Sequence, residues 1–70
     1  MPELIVHLKQ YRTGSGLTQA QLGDAVGVSR KTINTIENGV FTPSTVLALK
    51  LAQYFDTHVE DLFELNSEEH

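Results

Sequence analysis

The chain has 70 residues, 20% of them charged, no cysteine and a formal net charge of −4. A chain this short builds a single core, and without cysteine neither disulfides nor a Cys-based zinc or iron–sulfur site can hold it together. No apolar run approaches the roughly 20 residues of a membrane span, and no signal-peptide pattern opens the sequence, so the cytoplasm is the expected compartment.

The acidic balance is unevenly spread. All five bases (Lys9, Arg12, Arg30, Lys31, Lys50) fall within the first fifty positions, whereas Asp56, Glu60, Asp61, Glu64, Glu68 and Glu69 crowd the last fifteen. Residues 1–55 therefore carry five bases against three acids, Glu3, Asp24 and Glu37, a net of +2. The acidic end is read as a solvated segment that keeps a small protein dispersed. A domain of this size buries only about 60% of its unfolded surface, so self-association is the expected supplement to its stability.

Taken in chain order, Glu3–Val6 reads as a short strand that could pair with Glu64–Leu65, provided helices pack against the pair. Ile5, Leu8 and Tyr11 give the inner stripe of a first helix ending near Thr13. Thr18 is placed to cap a second helix, Gln19 to Val26, with Leu22, Ala25 and Val26 inward. Gly27 is a left-handed stop. Ser29 caps a third helix running to about Glu37, with Ile33 and Ile36 inward, and Asn38-Gly39 ends it. Ser44, after Pro43, caps the longest helix, with Leu47, Leu51, Ala52 and Phe55 inward. A fifth helix is predicted from about Val59 to Phe63, capped from Thr57-His58 and opened by two acids that suit its dipole. Residues 66–70 are read as a disordered tail.

Two short capped helices joined by a Gly-based turn, spanning about residues 18–38, describe a helix-turn-helix. Leu22, Val26, Val28, Ile33 and Ile36 lock the pair together. The outer face of the second helix is then free to enter a major groove wide enough for one helix. That face carries Arg30, Lys31, Asn34 and Thr35, with Ser29 at its leading end. Arg and Lys suit the acceptors of guanine, Asn suits adenine, and a Thr methyl suits thymine. Gln19 opens the preceding helix, where its amide and the free N–H groups of that turn can reach a phosphate.

The run Leu17-Thr18-Gln19, Leu22, Gly27-Val28-Ser29 and Ile33-x-x-Ile36-Glu37-Asn38-Gly39 resembles the Xre family of phage Cro- and repressor-type helix-turn-helix proteins, with a likeness extending from Leu8 to Phe63. It also resembles short stand-alone members of that family such as the cytolysin-operon repressor, in which terminal strands pair beside the helices. The resemblance implies an all-α, five-helix, lambda-repressor-like fold with Ser29 to Asn38 as recognition helix. It further implies a phosphate clamp at Gln19, and Asn38 and Ser44 beside the following phosphates. Arg12 and Glu37 are implied to form a partly buried structural ion pair. At position 23 the family usually has Ala where this chain has Gly, a departure that weakens the second helix by about 0.5–1 kcal/mol.

These readings converge on a sequence-specific DNA-binding transcriptional regulator, a repressor, holding an inverted-repeat operator as a homodimer. The dimer interface is expected on Thr57, Val59, Leu62, Phe63 and Leu65, with Phe41 nearby, because the apolar residues of this segment exceed what so short a helix can bury; the alternative is that they close the small core. The competing reading is an antitoxin-like or protein-binding module, which the acidic end favours. His7, His58 and His70 are scattered without metal-ligand spacing, and no nucleophile–base grouping stands out. No catalytic activity, cofactor or metal is therefore expected.

Overall fold

The computed structural model describes residues 4–66. Glu3 and residues 67–70 of the expected tail lie outside the described residues. The order of elements is β1 (Leu4–Val6), α1 (Leu8–Gly14), α2 (Gln19–Val26), α3 (Arg30–Glu37), α4 (Thr45–Tyr54), α5 (Val59–Leu62) and β2 (Phe63–Leu65).

Three of the helices begin at hydroxyl caps, as the sequence predicts. The side chains of Thr18, Ser29 and Ser44 accept from the backbone N–H of Gln21, Thr32 and Leu47 respectively. At Thr18 the exchange is reciprocal, since Gln21 Oε1 accepts from the Thr18 N–H at 2.9 Å. Four N–H groups go unpaired at every helix start, and this arrangement satisfies two of them. At the other end of α2, Gly27 takes the left-handed conformation at φ 81°, which costs a side-chain-free residue nothing.

Leu8, Leu22, Ile33, Ile36, Leu51 and Leu62 are fully buried, and Val26, Leu47, Ala52 and Phe63 complete the core. The Tyr11 and Phe55 rings, 5.9 Å apart, pack on its flank. The termini close over the bundle as an antiparallel pair with Leu4 opposite Leu65 and Val6 opposite Phe63. The His7 N–H extends the pairing by donating to Leu62 O at 2.8 Å, and the His7 imidazole meets the Glu64 carboxylate across it. No helix among the described residues is long and apolar enough to cross a membrane.

Four expectations need correction. Ile5 lies on β1 and is exposed, so it is no part of the α1 stripe. Ala25 is exposed, and the third inward position of α2 is Gly23. Helix α5 stops at Leu62, because Phe63 already has extended backbone at φ −137°, ψ 137°. Leu62 and Phe63 are consumed by the chain's own core, at 0% and 7% exposure, and so offer no surface to a second copy. The strand pair explains the last two points. Pairing with β1 pulls the chain out of helical geometry one residue early, and both side chains join the core.

Candidate nucleic-acid interface

Helices α2 and α3 meet across the turn Gly27-Val28-Ser29. The contact is close because position 23 has no side chain. A Cβ built there would lie 2.5 Å from Val28 O and 3.2 Å from the Ser29 carbonyl carbon, both backbone atoms. Gly23 is therefore more than a weak helix former: it lets the turn lie directly on α2. Val28 N–H donates to Gly23 O at 2.9 Å, which pins that approach.

Beneath the pair runs a polar network. Glu37, its side chain only 2% exposed, accepts from Arg12 Nε at 2.6 Å and from Nη2 at 3.2 Å. Gln19 Nε2 supplies a third donor at 3.0 Å. Arg12 Nη1 donates to Leu17 O at 2.8 Å, so the guanidinium also holds the chain entering α2. No buried side-chain N or O among the described residues lacks a partner. A buried charge is tolerated only on that condition, so the partly buried ion pair implied by the family resemblance is present here. Gln19 continues the network, because its Oε1 accepts from Asn34 Nδ2 at a long 3.5 Å. Asn38 Nδ2 donates to Asn34 Oδ1 at 3.2 Å.

The residues expected to meet DNA are thus brought to one region. Arg30 and Lys31 are exposed at the start of α3 and have no ion-pair partner among the described residues. Asn34 and Thr35 are half-buried one turn on. The Thr35 hydroxyl donates to Thr32 O at 2.9 Å, so its proton is committed internally while its oxygen's acceptor sites and its methyl remain. The hydroxyls of Ser29 and Ser44 are likewise engaged as caps at 3.1 Å. After α3 the chain turns back, with Val40 and Phe41 N–H both donating to Thr35 O. The only acid on α3 is Glu37, and Arg12 neutralises it from within. The outer face of α3 is left positive although the whole chain is acidic.

The geometry matches what comparison with known proteins shows. The helix-turn-helix family model matches residues 8–62. The chain belongs to that family. It is 43% identical over 61 residues to an uncharacterised HTH-type transcriptional regulator of Bacillus subtilis, covering 87% of this chain and 92% of that one. A second such regulator, from Methanocaldococcus jannaschii, is 48% identical over 56 residues, covering 80% and 85% of the two chains. Among solved structures, the SOS-response transcriptional repressor LexA of Eubacterium rectale is similar, with a TM-score of 0.76 at 34% identity. That match spans 84% of this chain and 63% of the LexA chain.

Two features of the helix-turn-helix surface escaped the sequence reading. One is the Asn34–Asn38 pair, whose spacing of four along a helix was the available signal. The other is the outer side of α4, where Val46 and Leu49 are 62% and 57% exposed. Their spacing of three marks a second apolar stripe that the inward residues obscured.

Proposed function

We propose that this chain is a cytoplasmic DNA-binding transcriptional repressor that holds an inverted-repeat operator as a homodimer and carries out no catalysis. The observation that carries the reading is the face of α3. Arg30 and Lys31, exposed and without an ion-pair partner among the described residues, sit beside Asn34 and Thr35, and the one acid of the helix is buried under an arginine. Gln19, whose amide links α2 to α3, takes the phosphate beside the groove, with Ser29, Asn38 and Ser44 flanking the contact. Relatives named as transcriptional regulators support the role, and the likeness to a LexA repressor supports the direction of control. The paired termini are in keeping with the short stand-alone members that the sequence resembles.

One α3 reads only a few base pairs. Two copies about a two-fold axis place their helices in successive major grooves about 34 Å apart. Of the interface residues read from the sequence, Thr57, Val59 and Leu65 keep accessible surface, and Leu65 is 72% exposed. In place of Leu62 and Phe63, the contact gains Leu49 and Val46 of α4. Leu49 lines a shallow apolar groove of about 500 Å³ with Leu4, Pro43, Ala48 and Val59, and Val46 is exposed on the same helix. Exposed apolar surface of this extent on a small domain marks an association face.

Selection of binding sites from randomised duplex DNA, with sedimentation equilibrium at micromolar concentration, tests the reading. The expected result is an inverted repeat with half-sites one helical turn apart, bound by a dimer. A monomer that holds a single half-site as tightly as the full repeat would overturn the dimer, and no enriched sequence would overturn specific binding.

A further inference from the structure

Asn34 and Asn38 lie one helical turn apart, and two bonds join them: Asn38 N–H donates to Asn34 O at 3.1 Å, and Asn38 Nδ2 donates to Asn34 Oδ1 at 3.2 Å. On its other side Asn34 Nδ2 faces Gln19 Oε1 at 3.5 Å. Gln19 cannot turn its amide over without loss, because its Nε2 donates to the buried Glu37 carboxylate at 3.0 Å, and a carboxylate offers no donor in exchange. The chemistry therefore runs in one direction along the chain of groups. The acid fixes the Gln19 amide, the Gln19 oxygen selects the nitrogen end of Asn34, and the Asn38 nitrogen selects its oxygen end.

An asparagine amide has two N–H donors and an oxygen with two acceptor sites. With one of each engaged, Asn34 retains one donor and one acceptor of defined orientation. That is the complement of the N7 acceptor and N6 donor that adenine presents in the major groove. A free amide would populate both orientations and lose part of its preference.

We propose that Asn38 is a positioning residue that sets the orientation of the Asn34 amide, and through it the base that Asn34 reads. The inference rests on the DNA-binding reading above but makes a separate claim. In that reading Asn38 lies near a phosphate; here its side chain acts through Asn34 and contributes to sequence preference. Exposed Asn38 closes α3, and its backbone N–H bond to Asn34 O persists whatever its side chain. Removing the amide therefore leaves the helix end intact.

The test is a double-substitution cycle on the full chain, with binding measured against the selected duplex and its single-base variants. Asn34→Ala should abolish preference at one base pair of each half-site. Asn38→Ala should reduce preference at that same base pair by roughly 3- to 10-fold and leave preference at the other positions unchanged, over and above any uniform loss from the phosphate it lies near. In an Asn34→Ala background, Asn38→Ala should change nothing further at that position. An equal loss for all sequences in both backgrounds would show that Asn38 contacts phosphate and would overturn the proposal. A wild-type chain that selects no sequence would instead defeat the DNA-binding reading. In that event, side-chain amide NMR of the free protein still decides the hydrogen bond. Asn38→Ala should shift the Asn34 side-chain resonances, and unchanged resonances would overturn the orientation claim on their own.

Discussion

Glu37→Ala is the most informative single change, because this carboxylate joins three segments of chain. Its side chain is 2% exposed and accepts two hydrogen bonds from Arg12 and one from Gln19. Removing it strands the Arg12 guanidinium, only 10% exposed, with Leu17 O as its remaining partner. Breaking a buried pair from one side costs about 3–5 kcal/mol. A 70-residue domain has a total stability of only about 4–10 kcal/mol at 0.05–0.15 kcal/mol per residue. The variant should therefore lose near half its stability and be partly unfolded at growth temperature. Urea melts followed by circular dichroism measure this directly, with the slope held in common between variants. A change below about 0.5 kcal/mol, the scale of an exposed pair, would refute the burial argument. The control is Arg12→Met with Glu37→Leu. Swapping both charges for apolar groups removes the desolvation cost together with the attraction and is often neutral or stabilising. This double variant should melt much closer to wild type than Glu37→Ala does.

Arg30→Ala and Lys31→Ala should each weaken binding to the selected duplex by about 1–3 kcal/mol for a base contact with melting unchanged, since both are exposed and have no ion-pair partner among the described residues; wild-type affinity in both would remove α3 from the groove. Gly23→Ala should gain about 0.5–1 kcal/mol of helix propensity and lose about 1–3 kcal/mol to overpacking, because the new Cβ meets a backbone oxygen at 2.5 Å. A raised melting temperature would show that the turn yields freely. Asp61 has its pKa lowered by the hydrogen bond from the Thr57 hydroxyl at 2.6 Å and, next, by the His58 backbone N–H at 3.2 Å. A depressed folded-state pKa contributes stability above the unfolded value, near 3.9, and that stability is lost as pH falls through the folded value. The cap of α5 should therefore loosen only in acid, and Thr57→Ala should move the Asp61 titration midpoint upward by NMR. An unmoved midpoint would dismiss Thr57 as the cause.

Much of this was legible because local signals and the global fold agree. Thr18, Ser29, Gly27 and Ser44 mark helix ends by chemistry that acts within one turn, and the structure places each where its chemistry requires. Arg30, Lys31, Asn34 and Thr35 could be grouped because helical spacing alone puts them near one face. What failed was long-range. Ile5 fits the period of α1, but pairing with Glu64 on β2 holds it on a strand. A helix as short as α5 has too little face of its own to bury Leu62 and Phe63, yet the strand pair carries both into the core. Propensity, a local property, speaks only of what Gly23 costs α2, whereas its role is to admit a turn five residues away.

The network beneath α3 resolves the difficulty that an acidic chain poses for a DNA-binding reading. Phosphates see local charge within about 8–10 Å in physiological salt, so the −4 of the whole chain counts for less than what lies on α3. Glu37 stands seven residues after Arg30, roughly two turns along the helix, and if exposed would oppose Arg30 and Lys31 from their own element. Burial against Arg12 instead cancels its charge within the protein. The same carboxylate then fixes the amide of Gln19 and, through it, the edge of Asn34. Taking an acid into the interior offers little net stability, so its value lies in orientation. It ties α1, the start of α2 and the end of α3 into one unit, and it leaves the outward side of α3 to its two cations.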